Sequence, residues 1–237
     1  MSSAIEVRAL LFDVFGTVVD WRGSVMREID SVGSDLDLDV DSAELADAWR
    51  SRYGPTMDAV LTGVEPYRNL DALHRSSLQS LLSERGIEMD SADVDRLVTA
   101  WHRLDAWPDA ADALNRLRNR YIIGTMSNGN VALLTNMAKY AGLPWDVILT
   151  PELLRTYKKN LESYRYVISL LGFEPSQVMM VAAHIGELKA VKTIGMRTAY
   201  VPRPTEFGSW DASVLDIDVT VNLHCEDLTD LADRLGV

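Results

Sequence analysis

Asp13, Ser127, Asn128, Lys158, His184 and Glu187 are side chains that together could carry out covalent catalysis. A carboxylate can attack an electrophilic carbon directly. An ammonium group beside it favours the ionised form. A hydroxyl and an amide can fix an anionic ligand, and an imidazole or a second carboxylate can take a proton from water. None of these residues is informative alone. Asp readily caps turns and helices, Ser-Asn-Gly-Asn is a loop and capping signature, and a loop lysine is ordinarily solvated. Their order gives them weight, because nearly every cluster stands just beyond a short apolar run.

Those runs define the elements that must position the groups. Leu10-Leu11-Phe12 leads into Asp13, and Phe15-Gly16-Thr17 then turns the chain. The run is too short for a helix and reads as a buried strand. Tyr121 to Met126 is a second strand, ending in Ser127-Asn128-Gly129-Asn130. Val178 to Ala183 is another, followed by His184 and Glu187. Shorter strands are expected at 146–150, 198–201 and 219–223. Helical periodicity falls between them at 110–119, 131–141, 163–171 and 188–194, with Gly142 closing the second. Strands alternating with helices predict an α/β fold with a doubly wound, mainly parallel sheet. In such sheets the carboxyl ends of the strands share one edge, where ligands bind. Asp13 with Thr17, Ser127 with Asn128, Lys158, and His184 with Glu187 are therefore expected to converge.

Between Trp21 and Leu104 no strand pattern appears. Leu45, Ala48 and Trp49 share one helical face, and Leu73, Ser77, Leu78 and Leu81 another. Gly54-Pro55 and Gly63 to Pro66 read as turns, and Ser91 as the cap of a further helix. Residues 20–105 are thus expected to form a helical insertion, with residues 1–19 and 106–237 forming the sheet-bearing core.

The chain has 237 residues and a formal net charge of −12. That charge argues against nucleic acid or an anionic membrane as partner, since both call for a cationic footprint. No run approaches the ~20 apolar residues needed to span a bilayer. The single cysteine, Cys225, precludes an internal disulfide and suits a reducing cytoplasm. The N-terminus shows no basic-then-apolar signal pattern.

Over nearly its whole length the sequence resembles the haloacid dehalogenase superfamily, and within it the type II L-2-haloacid dehalogenases. Asp13-Val14-Phe15-Gly16-Thr17 looks like the first motif, Thr125 to Gly129 the second, Tyr157-Lys158 the third, and Val181 to Glu187 the fourth. Val201 to Glu206 looks like the strand and loop that follow. Trp49-Arg50, Gly63 to Tyr67, Leu70 to His74 and Trp101 to Leu104 are similar to the subfamily's helical cap.

The resemblance implies an (S)-2-haloacid dehalogenase acting on short 2-haloalkanoic acids. Asp13 would displace halide, carry an ester on its own side chain, and yield the 2-hydroxy acid with inverted configuration. Arg50 would bind the halide with help from Asn128. Ser127, with backbone N–H groups near Phe15, would hold the substrate carboxylate. Lys158 would neutralise Asp13, Thr17 would orient it, and Tyr164 would match a tyrosine of the family site. His184 and Glu187 would serve the hydrolytic step.

Phe15 stands where phosphatases of the superfamily carry a second Asp, which protonates an alkoxide and braces Mg²⁺. A departing halide needs no proton, so Phe15 suits carbon–halogen cleavage. No metal and no cofactor are expected, and the resemblance points to a homodimer in the cytoplasm. Lys159 and Leu161 stand where prolines are usual, and Glu187 where the usual residue is Asp. The extra methylene predicts a carboxylate displaced by about 1 Å, enough to cost on the order of 100-fold. Two other readings stay open: a Mg-dependent phosphatase-like hydrolase, and a catalytically weakened relative acting as a binding protein.

Overall fold

A computed structural model describes residues 6–215 and 220–237. The first strand, β1 (Ala9–Phe12), is apolar and fully buried because both its faces are covered. Leu10 and Phe12 enter one hydrophobic cluster, and Ala9 and Leu11 enter the other. Alternating side chains point to opposite faces of a strand, so β1 must lie between two helical layers.

The chain then crosses a two-stranded antiparallel ribbon made of β2 (Val19–Asp20) and β3 (Asp105–Ala106). Five helices lie between them: α1 (Trp21–Asp35), α2 (Ser42–Ser51), α3 (Tyr53–Leu61), α4 (Leu70–Glu84) and α5 (Ser91–Ala100). The side chains of Asp20, Asp41, Asn69 and Asp90 accept backbone N–H bonds at the starts of α1, α2, α4 and α5. Asp90, rather than Ser91, is therefore the last cap. Gly54-Pro55 is not a turn. Both residues lie in the first turn of α3, where proline is tolerated because its missing N–H has no partner to lose.

After β3 the chain alternates through α6 (Ala110–Leu117), β4 (Ile122–Thr125), α7 (Val131–Ala141), α8 (Glu162–Leu170), β5 (Val178–Ala182), α9 (Ile185–Lys192), β6 (Arg197–Tyr200), β7 (Leu223–His224) and α10 (Leu228–Arg234). The main sheet is parallel throughout, in the order β4-β1-β5-β6-β7. Helices α6, α7 and α10 contribute to one cluster, and α8 and α9 to the other. The expected doubly wound α/β sheet is present.

Two of the expected strands differ. Residues 146–150 form no strand, although Val147 bridges to Gly124. Backbone bonds join this segment to β4 only around Ile123 and Thr125, and side chains make the rest: Asp146 accepts from Ile123 N, and the Thr125 hydroxyl donates to Leu149 O while accepting from Leu149 N. The strand expected at 219–223 is confined to Leu223–His224, and Val219 lies outside the described residues.

Strand order fixes the place of the site. From β1 the sheet grows on one side to β4 and on the other to β5, so Asp13 emerges at the point where the winding reverses. Gly16 follows at φ 83°, a conformation that disfavours a side chain. A Cβ there would also collide with the carboxylate of Glu206.

Candidate active site

Asp13 is 5% exposed, and its backbone N–H donates to Val181 O at 3.0 Å, which continues the β1–β5 ladder by one residue. Its Oδ1 accepts from Lys158 Nζ at 2.7 Å. Its Oδ2 accepts from the Thr17 hydroxyl at 2.7 Å and lies 2.9 Å from His184 Nδ1. Thr17 is held in turn by the N–H of Ala183, donated to its Oγ1 at 2.9 Å. Burial pushes the Asp13 carboxyl up. The Lys158 ammonium and the bonded, charged His184 outweigh it and hold Asp13 well below the usual carboxylate range.

Lys158 is placed by its own backbone, whose N–H donates to Asn128 Oδ1 at 2.7 Å. No proline follows it, and its ammonium reaches Asp13 all the same. Lys159 instead pairs with Asp58 of α3 at 2.5 Å, tying this loop to the inserted helices. Lys158 Nζ also contacts Glu187, at 2.7 Å from Oε1 and 2.8 Å from Oε2. Burial pushes the lysine down, but Asp13 and Glu187 reverse that and raise it above its ordinary value. Tyr164 donates its hydroxyl to Glu187 Oε1 at 2.6 Å. Burial is the main reason that Glu187 stands above the usual carboxylate value, and the nearby Asp13 charge adds to it against the pull of Lys158.

His184 bridges two acids. Its Nδ1 faces Asp13, and its Nε2 lies 3.0 Å from Glu206 Oε2. Burial works against its charge, yet the hydrogen bonds to Asp13 and Glu206 raise its pKa from 6.5 to about 10. At neutral pH the resting imidazole is therefore a cation and cannot serve as a base. Glu206 is 4% exposed and also accepts from Trp21 Nε1 at 3.2 Å. Sequence reading placed it in a loop and gave it no role.

These groups open on a cavity of about 420 Å³ whose lining includes Asp13, Phe15, Arg50, Tyr53, Met57, Ser127, Asn128, Lys158, Tyr164, His184 and Glu187. Of the expected site residues, only Thr17 is outside the lining, since it supports Asp13 from behind. Phe15 meets the edge of Trp101 with ring centroids 5.8 Å apart. Ser127 is fully buried and accepts a long N–H bond from Gly129 at 3.4 Å. Arg50, near the end of α2, has its guanidinium carbon 4.1 Å from the Tyr53 ring centre and 5.5 Å from that of Trp21. Among the described residues its buried Nε has no partner. A cation so placed is available to an anion in the cavity.

Asp13, His184 and Glu187 bring possible ligand atoms within 4.8 Å of one another. They do not fit Mg²⁺. The Lys158 ammonium already contacts both carboxylates, His184 is protonated, and the side chain at position 15 adds no carboxylate to the set that a hard octahedral cation would draw on.

A family model described as haloacid dehalogenase-like hydrolase matches residues 7–195. The chain belongs to that hydrolase family. This hydrolase is 30% identical to (S)-2-haloacid dehalogenase 4A of Burkholderia cepacia, over 84% of each chain. Among solved structures, it superposes on the defluorinating L-2-haloacid dehalogenase Rha0230 with a TM-score of 0.94. The two are 43% identical, covering 98% of this chain and 96% of that one. The L-2-haloacid dehalogenase PA0810 is 40% identical with a TM-score of 0.91, covering 97% and 99%.

Proposed function

We propose that this hydrolase is an (S)-2-haloacid dehalogenase that converts short 2-haloalkanoic acids into 2-hydroxy acids through an ester on Asp13. One observation carries the reading. Asp13 is held ionised on a cavity whose neighbouring wall is Phe15 rather than an acid, with the cation of Arg50, which has no ion pair among the described residues, on the same cavity. The names of its relatives support it.

In the first step Asp13 attacks C2 of the substrate. The new C–O bond forms as the carbon–halogen bond breaks, and the halide leaves with the bonding pair toward Arg50. Attack from behind that bond inverts the carbon. Ser127, on the same cavity, offers its hydroxyl to the substrate carboxylate. Lys158 and Thr17 hold the nucleophile in one orientation, so part of the barrier is met by positioning.

The second step needs a base for water. Glu187 has both oxygens engaged by Lys158 and one also by Tyr164, and Lys158 contacts both Glu187 and Asp13. His184 faces Asp13 directly, at a distance within general-base reach. Esterification moves the Asp13 charge onto the halide, and once the halide has left, burial opposes the imidazolium and only Glu206 still supports it. His184 then releases its Nδ1 proton to solvent while Glu206 keeps the Nε2 proton and the ring orientation. Water adds to the ester carbonyl as Nδ1 takes its proton. Collapse expels the hydroxy-acid alkoxide, which takes that proton back, and the Asp13 carboxylic acid left behind passes its remaining proton to His184 Nδ1, restoring the carboxylate–imidazolium pair.

The test is a single turnover in heavy-oxygen water with unlabelled enzyme in excess over (S)-2-chloropropionate. Unlabelled hydroxy acid, with the label recovered in the Asp13 peptide, is expected. Labelled product in that first turnover would overturn the ester route.

Among the described residues no helix is long and apolar enough to cross a membrane. Cytoplasmic residence fits the lone buried Cys225, and cell fractionation tests it. The homodimer rests on the resemblance and is tested by light scattering. The division into a core of residues 1–19 and 106–237 and a cap of 20–105 is supported by the β2–β3 ribbon, where the chain departs and returns.

A further inference from the structure

The amide of Asn128 is already committed. Its Oδ1 accepts from Lys158 N at 2.7 Å, and its Nδ2 donates to the Tyr53 hydroxyl at 2.9 Å and to Met57 Sδ at 3.3 Å. It has no donor left for a halide in this arrangement. Tyr53 is in the opposite condition. A phenol hydroxyl both accepts and donates. Its oxygen is used as an acceptor by Asn128, and among the described residues nothing accepts its proton. Tyr53 lines the same cavity as Arg50, and its ring lies beneath the guanidinium at 4.1 Å. Burial holds the phenol above its ordinary pKa, so it stays protonated.

We propose that the Tyr53 hydroxyl is a halide-binding donor that works beside Arg50 and biases the site toward fluoride as leaving group. The inference rests on the dehalogenase reading. Asn128 is then a positioning residue that turns the Tyr53 proton toward the cavity. No proton is transferred: the halide leaves with the carbon–halogen electron pair and accepts a hydrogen bond from a phenol that keeps its hydrogen. Fluoride is the smallest halide and concentrates its charge most, so it gains most from such a bond. A preorganised donor is worth about 10²–10³ in rate when charge develops against it. For bromide, large and diffuse, the same donor matters far less.

Tyr53→Phe removes the hydroxyl and leaves the ring under Arg50. Single-turnover halide release is measured with fluoroacetate, chloroacetate and bromoacetate in both proteins. The variant is expected to lose about 100-fold on fluoroacetate and only a few-fold on bromoacetate, with chloroacetate between them. An equal loss on all three, or none, would overturn the proposal, because a merely structural role has no leaving-group ranking. Bromide release by the unaltered protein separately checks the dehalogenase reading. Should that be absent, titration of sodium fluoride and sodium bromide against tryptophan fluorescence still decides the role of Tyr53. A fluoride preference that disappears in Tyr53→Phe supports it, and equal binding of the two halides by the unaltered protein overturns it.

Discussion

Replacing His184 by Asn should separate the two chemical steps. Asn can still donate an N–H toward Asp13 Oδ2, where His184 Nδ1 now lies at 2.9 Å, but it cannot accept a proton from water. Lys158 and Thr17 remain on Asp13, so ester formation should persist. General bases typically contribute about 10²–10⁴ to a rate. If formation and hydrolysis of the ester are comparable in the unaltered enzyme, the halide burst is about a quarter of the active sites. A hydrolysis rate lowered about 100-fold raises that burst to nearly one halide per site. Rapid-quench halide measurement gives the amplitude, and intact-protein mass spectrometry gives the adduct on Asp13. A variant that turns over normally without accumulating adduct would assign the water to Glu187 and refute the argument. The pH profile carries the same logic. Ionised Asp13 is available well into the acid range, whereas hydrolysis needs neutral His184. Where hydrolysis limits turnover, kcat should therefore rise with pH and level off below about 10, because in the ester Asp13 no longer supports the His184 charge.

Arg50→Ala should lower kcat by about 10²–10³ as the developing halide loses its cation, and unchanged kcat would remove Arg50 from the site. Its packing on Tyr53 and Trp21 makes the stability cost about 1 kcal/mol, more than a free surface cation would show, and urea unfolding checks this. His74 is 4% exposed, its Nδ1 lacks a partner among the described residues, and burial lowers its pKa from 6.5 to about 3. Because the unfolded chain binds that proton first, stability falls as pH drops below 6.5. His74→Phe should therefore gain about 3 kcal/mol more, relative to the native chain, near pH 4.5 than near pH 8. An equal effect at both pH values in urea titrations would refute the assignment. Halide release should survive a chelator, and loss restored by Mg²⁺ would overturn the donor-set argument.

The parts of this fold that were legible in the sequence are those where both faces of an element are covered. β1, β4 and β5 had to be apolar along most of their length, and the polar residue ending each run marked the sheet edge. The β2–β3 ribbon has two residues per strand, too few to set a period. Residues 146–150 look like a strand because they are apolar, yet Asp146 and Thr125 supply bonds that a ladder would have made. Reading Gly54-Pro55 as a turn concealed the start of α3, and with it Tyr53 and Met57 on the cavity. Glu206 lies in a loop where no periodicity applies. Its one available signal was chemical: a histidine at a strand end beside a buried carboxylate calls for a second acid to orient it.

That second acid also explains how an enzyme with a net charge of −12 can work on anions. In the resting site Lys158 and His184 are spent on Asp13, Glu187 and Glu206, while Arg50 has no ion pair among the described residues. Ester formation leaves the total charge unchanged, because the charge that Asp13 loses reappears on the halide. The balance shifts only when the halide departs, leaving Lys158, His184 and Arg50 with one anion fewer between them. At that point a proton on His184 is least favourable, and its release creates the base that hydrolysis requires. In the proposed mechanism halide escape thus prepares the second step, and Glu206, on Nε2, leaves Nδ1 as the nitrogen to perform it.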